Sequence, residues 1–262
     1  MATSTPTILV TNDDGVTAPG LLALAQAMRR LGEVHVLAPD RNWSASGHVK
    51  TLDRPLRVKE TTLADGSPAL ACDGAPSDCV ALALLGLLPF QLDLVVSGIN
   101  PSCNVGHDVT YSGTVTAAME AVIGGTPGLA FSLNAPAGLH GGLDYRAAAD
   151  VAGQVAAQSL AQGLDTSILL NVNIPYLPAG EIKGIQITRQ GQRLYRDQLD
   201  RRLDPRGRPY YWFGGDPPGG VPDDGTDIGA LSQGYVTITP LHLDLTAYQA
   251  IDVLRQWDWN GA

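Results

Sequence analysis

Two adjacent carboxylates are the first residues of this sequence whose types and spacing suggest chemistry. Asp13 and Asp14 stand between Asn12 and Gly15, directly after the apolar run Ile8–Val10. Because neighbouring carboxylates repel each other, a bound divalent cation is the simplest counterion for such a pair. Asp, Asn and Gly are also common turn residues, so these four residues alone fit a plain turn equally well.

Oxygen-bearing side chains recur in two later segments of the chain. Ser44 lies in APDRNWSASGH (38–48), and Asn100 and Asn104 lie in SGINPSCNVGHDVTYSGTV (97–115). Carboxylate, hydroxyl and amide oxygens form a donor set that suits Mg²⁺, Mn²⁺ or Ca²⁺ better than softer metals. The histidines show no HExxH spacing and the cysteines no CxxC spacing, which argues against a zinc hydrolase site.

The tripeptide Ser112–Gly113–Thr114 has the composition of an anion-binding turn, because it leads into a predicted helix over residues 114–123. Small residues at a helix start leave backbone N–H groups open at the positive end of the helix dipole, where a phosphate can bind. The alternative interpretation is that Ser112 or Thr114 acts only as the N-cap of this helix.

Strand and helix signals alternate through roughly the first 175 residues. The predicted strands are Ile8–Val10, Val34–Asp40, Leu92–Asn100, Gly128–Leu133 and Ser167–Pro175, and the predicted helices cover 21–31, 78–88 (with Ser77 as N-cap), 114–123 and 145–163. This alternation implies right-handed βαβ units and an α/β fold: a Rossmann-like, doubly wound, mostly parallel sheet in three layers, α/β/α. Ligands bind at the carboxyl ends of the strands in such sheets, so the polar segments are expected to meet at one edge.

A long segment near the C-terminus interrupts the alternation. Residues 189–232 are first rich in arginine, then aromatic over Tyr210–Phe213, then rich in Gly, Pro and Asp. A disordered insertion is one interpretation. Four adjacent aromatic residues favour the other, a projecting β-hairpin arm that packs on a second subunit. Residues 235–245 are then predicted to form a strand and Thr246 to cap a final helix, and the chain 1–262 is predicted to be a single domain.

Composition excludes several classes of partner. The chain has 262 residues, 44% of them hydrophobic, and a net charge of −9 with only three lysines, so neither a nucleic-acid polymer nor an anionic membrane surface is an expected partner. The start MATSTPT does not resemble a signal peptide, and no apolar run reaches the 18 residues expected of a membrane span. Three cysteines without regular spacing suggest reduced, mostly buried thiols in a cytoplasmic protein.

Five motifs in chain order carry a family resemblance. They are TNDDG, AP-x-x-x-x-S-x-x-G, G-x-P-x-D-C-V, SGIN-x-x-x-N-x-G-x-D-V-x-YSGTV-x-AAMEA and TD-x-x-AL-x-x-GYVTITPL, and they run from Thr11 to Leu241. In this respect the sequence resembles the SurE family of survival-protein nucleotidases. The resemblance implies a Rossmann-like core and a homodimer or homotetramer built with C-terminal arms. It also implies a metal-dependent phosphatase acting on nucleoside monophosphates, 5′-nucleotides first, with 3′-nucleotides and short polyphosphate as further candidate substrates.

The resemblance also assigns site residues by motif. One divalent cation per subunit, Mg²⁺, Mn²⁺ or a similar ion, would be held by Asp13, Asp14, Ser44 and Asn100. Phosphate contacts would come from Asn12, Gly15, Asn104, Ser112, Gly113 and Thr114. Of these residues, Asp13, Asp14, Asn104 and Ser112 are the expected catalytic set. The loop Pro101–Cys103 departs from the family pattern, in which a glycine-containing pair is usual.

Metal-assisted hydrolysis of a phosphomonoester is the predicted reaction, with Asp108 suggested as the proton donor to the leaving oxygen. Two alternatives remain open at this stage. An aspartyl-phosphate phosphatase would use Asp13 as nucleophile, but it needs a second acid where Gly15 stands and a distant lysine. A non-catalytic nucleotide-binding scaffold would also fit the fold, although neither GxGxxG nor GxxxxGK[ST] is present.

Overall fold

A nine-stranded sheet forms the centre of the computed structural model, which describes residues 5–136, 138–139 and 142–259. Its strands and those of a separate hairpin are β1 (Thr7–Thr11), β2 (Glu33–Pro39), β3 (Val58–Thr62), β4 (Pro68–Cys72), β5 (Leu94–Asn100), β6 (Gly128–Asn134), β7 (Ile168–Pro175), β8 (Ile185–Ile187), β9 (Arg193–Leu203), β10 (Pro209–Gly220) and β11 (Val236–His242). The α-helices are α1 (Pro19–Met28), α2 (Pro76–Leu82), α3 (Gly113–Ile123), α4 (Arg146–Gln162), α5 (Asp227–Ser232) and α6 (Tyr248–Arg255).

The strand order is β3-β4-β2-β1-β5-β6-β7-β11-β8. Strands β4, β2, β1, β5, β6 and β7 pair in parallel, whereas β3 and β11 run antiparallel to β4 and β7. From β1 the chain continues to one side through β2, and from β5 it continues to the other side through β6. The order therefore reverses between β1 and β5, which is where doubly wound sheets bind ligands. The predicted fold class is confirmed.

Helices cover both faces of this sheet, with α1 and α4 on one face and α2 and α3 on the other. The apolar run in β1 is continuous because it serves both faces: Ile8 and Val10 pack in the cluster that contains α1 and α4, and Leu9 packs in the cluster that contains α2. A strand covered on both sides gains burial from each successive residue, since side chains alternate between the faces.

Two local predictions are wrong, and two strands have no counterpart among the predicted elements. These strands are the edge strand β3 and its neighbour β4; β3 has the sequence VKETT, with three of five residues exposed and no apolar run. Ser77 is not the N-cap of α2: Ala75 holds that position, its N–H donates to the Asp78 carboxylate at 2.9 Å, and the Ser77 hydroxyl donates to the Val49 carbonyl. Thr246 is not a cap either, since α6 begins after Ala247 without a side-chain cap.

Strands β9 and β10 form a two-stranded antiparallel sheet of their own, so a hairpin arm is present. It is shorter than the predicted 189–232, because Asp227–Ser232 is a helix that packs on β11. The hairpin exposes apolar side chains along its length, including Leu199, Trp212 and Phe213 at 68%, 63% and 93% exposure. In the described part of the chain, no helix is both long and apolar enough to cross a membrane.

Candidate active site

The carboxyl ends of β1 and β5 lie side by side at the point where the strand order reverses. Thr11, the last residue of β1, is in register with Ser97 of β5. The residues after Thr11 and Asn100 therefore lie at the same edge of the sheet, as the sequence predicted. A third segment, residues 41–48, is held over the first by a hydrogen bond from the Trp43 N–H to the Asp13 carbonyl at 2.7 Å.

Asn12 and Gly15 shape the first loop. The Asn12 amide donates to the Gly15 carbonyl at 3.0 Å, and its Oδ1 accepts the Gly15 N–H at 3.2 Å. Asn12 is only 1% exposed, and Gly15 has a positive φ of 101°. The turn interpretation is thus correct for these two residues, and the loop they close presents the two carboxylates between them.

Asp13 contacts the start of α3 directly. It is 3% exposed, and the Thr114 hydroxyl donates to its Oδ1 at 2.5 Å. Any Cβ at position 113 would lie 2.7 Å from the Asp13 Cβ, closer than atoms pack, so only glycine allows this approach. Asp13 of the carboxylate pair therefore lies against Ser112–Gly113–Thr114, the predicted phosphate-binding turn, which we call the phosphate turn.

Burial makes the ionised forms of both carboxylates unfavourable. It raises the pKa of Asp13, against a smaller opposing effect of the Thr114 hydrogen bond. Burial, together with the neighbouring charge of Asp13, raises the pKa of Asp14 to about 7. A cation bound between the two carboxylates would oppose both effects and lower the two pKa values, since an opposite charge favours the ionised form.

A cation at this carboxylate pair would need neutral oxygens as well. The described residues contain no group of three or more His, Cys, Asp or Glu side chains suited to a metal. Ser44 is one predicted neutral donor: it is exposed, and its loop is joined to Asp14 through Asn42, whose Oδ1 accepts the Ser44 N–H at 2.7 Å and whose Nδ2 lies 3.5 Å from Asp14 Oδ1. Asn100 is the other: its Nδ2 donates to the Ser102 carbonyl at 2.6 Å, which leaves its Oδ1 available as a ligand.

A buried carboxylate on α3 anchors the loop that carries Ser44. Glu120 Oε2 lies 2.9 Å from His48 Nε2, and Glu120 Oε1 lies 2.7 Å from Lys50 Nζ. The hydrogen bond with His48, aided by Lys50, lowers the pKa of Glu120. Thr116 adds a hydrogen bond to the Gly47 carbonyl at 3.1 Å. An otherwise irregular loop is thereby fixed to the helix that begins at the phosphate turn.

The phosphate turn combines capping with open donors. The Ser112 Oγ accepts the Val115 N–H at 3.1 Å, so Ser112 is the N-cap of α3. Its own O–H can still donate. The backbone N–H groups of Gly113 and Thr114 occupy the first two helical positions, where no helical acceptor exists. The Thr114 hydroxyl faces Asp13, not the turn's open side, so only its backbone fits the predicted phosphate contact.

Asn104 is part of a buried amide network. Its Nδ2 donates to Ser132 Oγ at 2.8 Å, its N–H donates to Asn173 Oδ1 at 2.7 Å, and its carbonyl accepts from Asn171 and Asn173. Ser132, Asn171 and Asn173 are not among the predicted site residues, although each stands in a predicted strand that is otherwise apolar. That pattern, a polar residue inside a buried strand, is the signal that could have found them.

Asp108 faces the arm. Its Oδ2 lies 2.8 Å from Arg193 Nε in an ion pair, and its Oδ1 accepts the Tyr195 hydroxyl at 2.7 Å. Both oxygens of the suggested proton donor are therefore engaged by the first strand of the hairpin.

We expect metal affinity to depend on pH through Asp14. A carboxylate with a pKa of about 7 must lose its proton to bind a cation, so the affinity should fall about tenfold per pH unit below 7 and level off above it. The raised pKa also means that the metal-free fold loses stability as the pH rises from the ordinary pKa of 3.8 to about 7, because the unfolded chain ionises Asp14 over this range while the fold keeps it protonated. Calorimetric titration with Mg²⁺ or Mn²⁺ between pH 5.5 and 8.5 measures the first effect. An affinity that stays constant over this range would contradict it; Asp14→Asn is the control, and should bind weakly at every pH.

Comparison with known proteins places this arrangement in a family. A model described as "Survival protein SurE" matches residues 8–197. A protein of Herpetosiphon aurantiacus named 5′-nucleotidase SurE is 55% identical over 255 residues, 97% of this chain and 99% of the relative. One of Chloroflexus aggregans with the same name is 53% identical over 258 residues, with 97% and 99% covered.

A solved structure agrees with these relatives. The Sure protein from Aquifex aeolicus has a TM-score of 0.81 and 41% identity to this chain, over 95% of this chain and 98% of the other. Sequence similarity of this extent, together with the same architecture, leaves one assignment: the chain belongs to the SurE family.

Proposed function

We propose that the protein is a divalent-metal-dependent phosphatase that hydrolyses nucleoside monophosphates, 5′-nucleotides in particular, to nucleoside and phosphate. The observation that supports the proposal is the contact between the buried Asp13 and the start of α3, which brings a carboxylate suited to a cation beside backbone N–H groups suited to a phosphate. The relatives named 5′-nucleotidase SurE support the substrate class.

The residues that would hold the cation are Asp13, Asp14, Ser44 and Asn100. When bound, such a cation neutralises phosphate charge and lowers the pKa of a water molecule towards neutrality. The chain's own part is to bind and orient the phosphate. The N–H groups of Gly113 and Thr114 and the Ser112 hydroxyl stabilise charge on the phosphoryl oxygens. The Thr114 hydroxyl fixes the rotamer of Asp13.

Lysine positions disfavour the aspartyl-phosphate alternative. Such enzymes keep a lysine beside the nucleophile. Here Lys50 is paired with Glu120, Lys183 lies over the Tyr235 ring, and Lys59 stands on the edge strand β3. No lysine of the described residues is therefore placed to serve Asp13.

Phosphate release from purified protein tests the proposal. We expect release from 5′-nucleoside monophosphates with Mg²⁺ or Mn²⁺ present, and a panel of 3′-nucleotides and short polyphosphate measures the breadth of the site. Binding of nucleotides without any phosphate release would support a scaffold instead. Covalent phosphate trapped on Asp13 would support the aspartyl-phosphate reaction.

We further propose a cytoplasmic homodimer or homotetramer assembled through the hairpin arm. Free Cys72, Cys79 and Cys103 fit a reducing compartment. The exposed aromatic and leucine side chains of the arm form a surface that soluble monomers rarely expose.

Shortening the arm is expected to reduce the oligomer mass. Asp197 and Gly215 are paired in the hairpin, so an Asn-Gly turn can replace residues 198–214 and close the shorter hairpin. This removes Leu199, Leu203 and the four exposed aromatic residues 210–213 and keeps the root of the arm. Light scattering of the two forms checks the result, and circular dichroism checks that the core is folded. An unchanged mass would show that the arm is not the assembly element.

A further inference from the structure

The root of the arm contacts the loop that connects Asn104 to the phosphate turn. Within this loop residues 106–110 form a 3₁₀ turn. Its Asp108 carboxylate is held by two residues of β9: Arg193 Nε lies 2.8 Å from Oδ2, and the Tyr195 hydroxyl donates to Oδ1 at 2.7 Å. The side chains of both partners in the ion pair are less than one-fifth exposed, at 17% and 18%, so solvent screens it less than a surface pair.

The backbone of Asp108 continues the connection into the site. Its carbonyl accepts the N–H groups of Tyr111 at 3.0 Å and Ser112 at 3.1 Å. Ser112 is the N-cap of α3 and the predicted phosphate contact. One residue therefore bonds the arm through its side chain and the phosphate turn through its carbonyl.

A second set of contacts holds the start of the same loop. The buried Asp227 accepts the N–H of Gly106 at 2.8 Å and the N–H of Gly191 at 2.7 Å. Gln190 donates to the Gly106 carbonyl at 2.9 Å. A Cβ at Gly106 would lie 2.5 Å from the Gly191 carbonyl, so the segment leading into the arm is packed against the loop without space between them.

We propose that Arg193 and Tyr195 are positioning residues for the hydrolytic reaction, which act through Asp108 to set the phosphate turn. The inference rests on the proposed phosphatase function. It gives the arm a second role beside assembly, and it assigns Asp108 to the fixing of Ser112, not to proton transfer.

The two roles of Asp108 differ in how the rate depends on the leaving group. A proton donor matters for a poor leaving group such as a nucleoside and hardly at all for p-nitrophenolate. A positioning residue matters equally for both, since the phosphate turn contacts the phosphoryl group in each substrate.

The experiment compares Tyr195→Phe, Asp108→Asn and the double variant on a 5′-nucleotide and on p-nitrophenyl phosphate. Asp200→Asn is the matched control, because its ion pair with Arg202 lies further along the same arm. We expect Tyr195→Phe to lower kcat/KM about tenfold on both substrates, since a hydrogen bond to a charged group is lost. Asp108→Asn should lower it at least as much, the double variant should lose little more than Asp108→Asn alone, and the oligomer mass should be that of the parent.

Hydrogen exchange supplies a readout that does not need activity. We expect the amides of residues 105–116 to exchange faster in Tyr195→Phe than in the parent or in Asp200→Asn. If the parent releases no phosphate, the proposed function fails while this measurement still tests the positioning. Parent-like exchange and kinetics in Tyr195→Phe would overturn the inference. A loss in Asp108→Asn confined to the nucleotide would overturn it too, because it would identify Asp108 as the proton donor.

Discussion

Asp13→Asn is expected to lose metal affinity and turnover together, by about 1,000-fold or more. The substitution keeps the shape of the side chain and removes one of two charges that face the cation. A pair of unit charges at contact distance near a protein surface interacts by about 4 kcal/mol, and each 1.36 kcal/mol is tenfold. Calorimetric metal titration and steady-state kinetics measure the two losses.

The fold should survive this substitution. An Asn oxygen can still accept the Thr114 hydroxyl, and burial raises the pKa of Asp13, which means that the ionised carboxylate is unfavourable in the metal-free protein. Thermal denaturation without metal should therefore show Asp13→Asn at least as stable as the parent at pH 7. Normal metal binding by the variant would contradict the assignment of Asp13.

Ser112→Ala provides the contrast. Loss of an N-cap costs about 1 kcal/mol of stability, and loss of a hydrogen bond to charged phosphate costs roughly 1.5–3 kcal/mol, which is about 10- to 150-fold in kcat/KM. Metal affinity should remain at the parent value, because Ser112 contacts α3 and not the carboxylates. If the variant loses the metal, the division between cation ligands and phosphate contacts is wrong.

Chelation is expected to abolish phosphate release. With EDTA present, neither Asp13 nor Asp14 offers positive charge to a phosphate, and the chain that must bind this anion has a net charge of −9. Added Mg²⁺ or Mn²⁺ should restore activity in the parent. At the same metal concentration it should not restore activity in Asp13→Asn.

Thermal denaturation gives an independent measure of the same binding. A ligand that binds only the native state stabilises it by about 2.7 kcal/mol at 100 times its Kd. The parent should therefore melt at a higher temperature when metal is added, and Asp13→Asn should show no such increase. Full activity in metal-free parent protein would contradict the metal-dependent mechanism.

The central sheet could be predicted from the sequence because its signals are local. Strands β1, β5, β6 and β7 are covered on both faces, so each contains a continuous apolar run that needs no knowledge of its neighbours. The edge strand β3 has three of its five residues exposed and carries no such signal. It pairs with β4 across the short connection 63–67, so its composition, and not the distance to its partner, is the reason that the sequence does not indicate it.

The candidate site divides in the same way. The carboxylate pair consists of adjacent residues, and so does the phosphate turn, so each could be recognised from the sequence alone. Asn42, which joins the Ser44 loop to Asp14, and Tyr195, which donates a hydrogen bond to Asp108 from 87 positions away, contribute through long-range contacts. The turn and N-cap interpretations that competed with the functional ones are both correct, since Asn12 closes a turn and Ser112 caps a helix. Local structural roles and ligand roles were therefore not exclusive alternatives.

We expect the contact of Gly113 with Asp13 to link cation binding and phosphate binding thermodynamically. A cation that orders Asp13 would also order the helix start packed on it, so part of the entropy cost of binding phosphate would be met beforehand. Linkage is reciprocal, so bound phosphate must raise the affinity for the cation by the same factor. We expect the protein to release its metal most readily when no phosphoryl group is bound, and to retain it throughout a catalytic cycle in which substrate is plentiful.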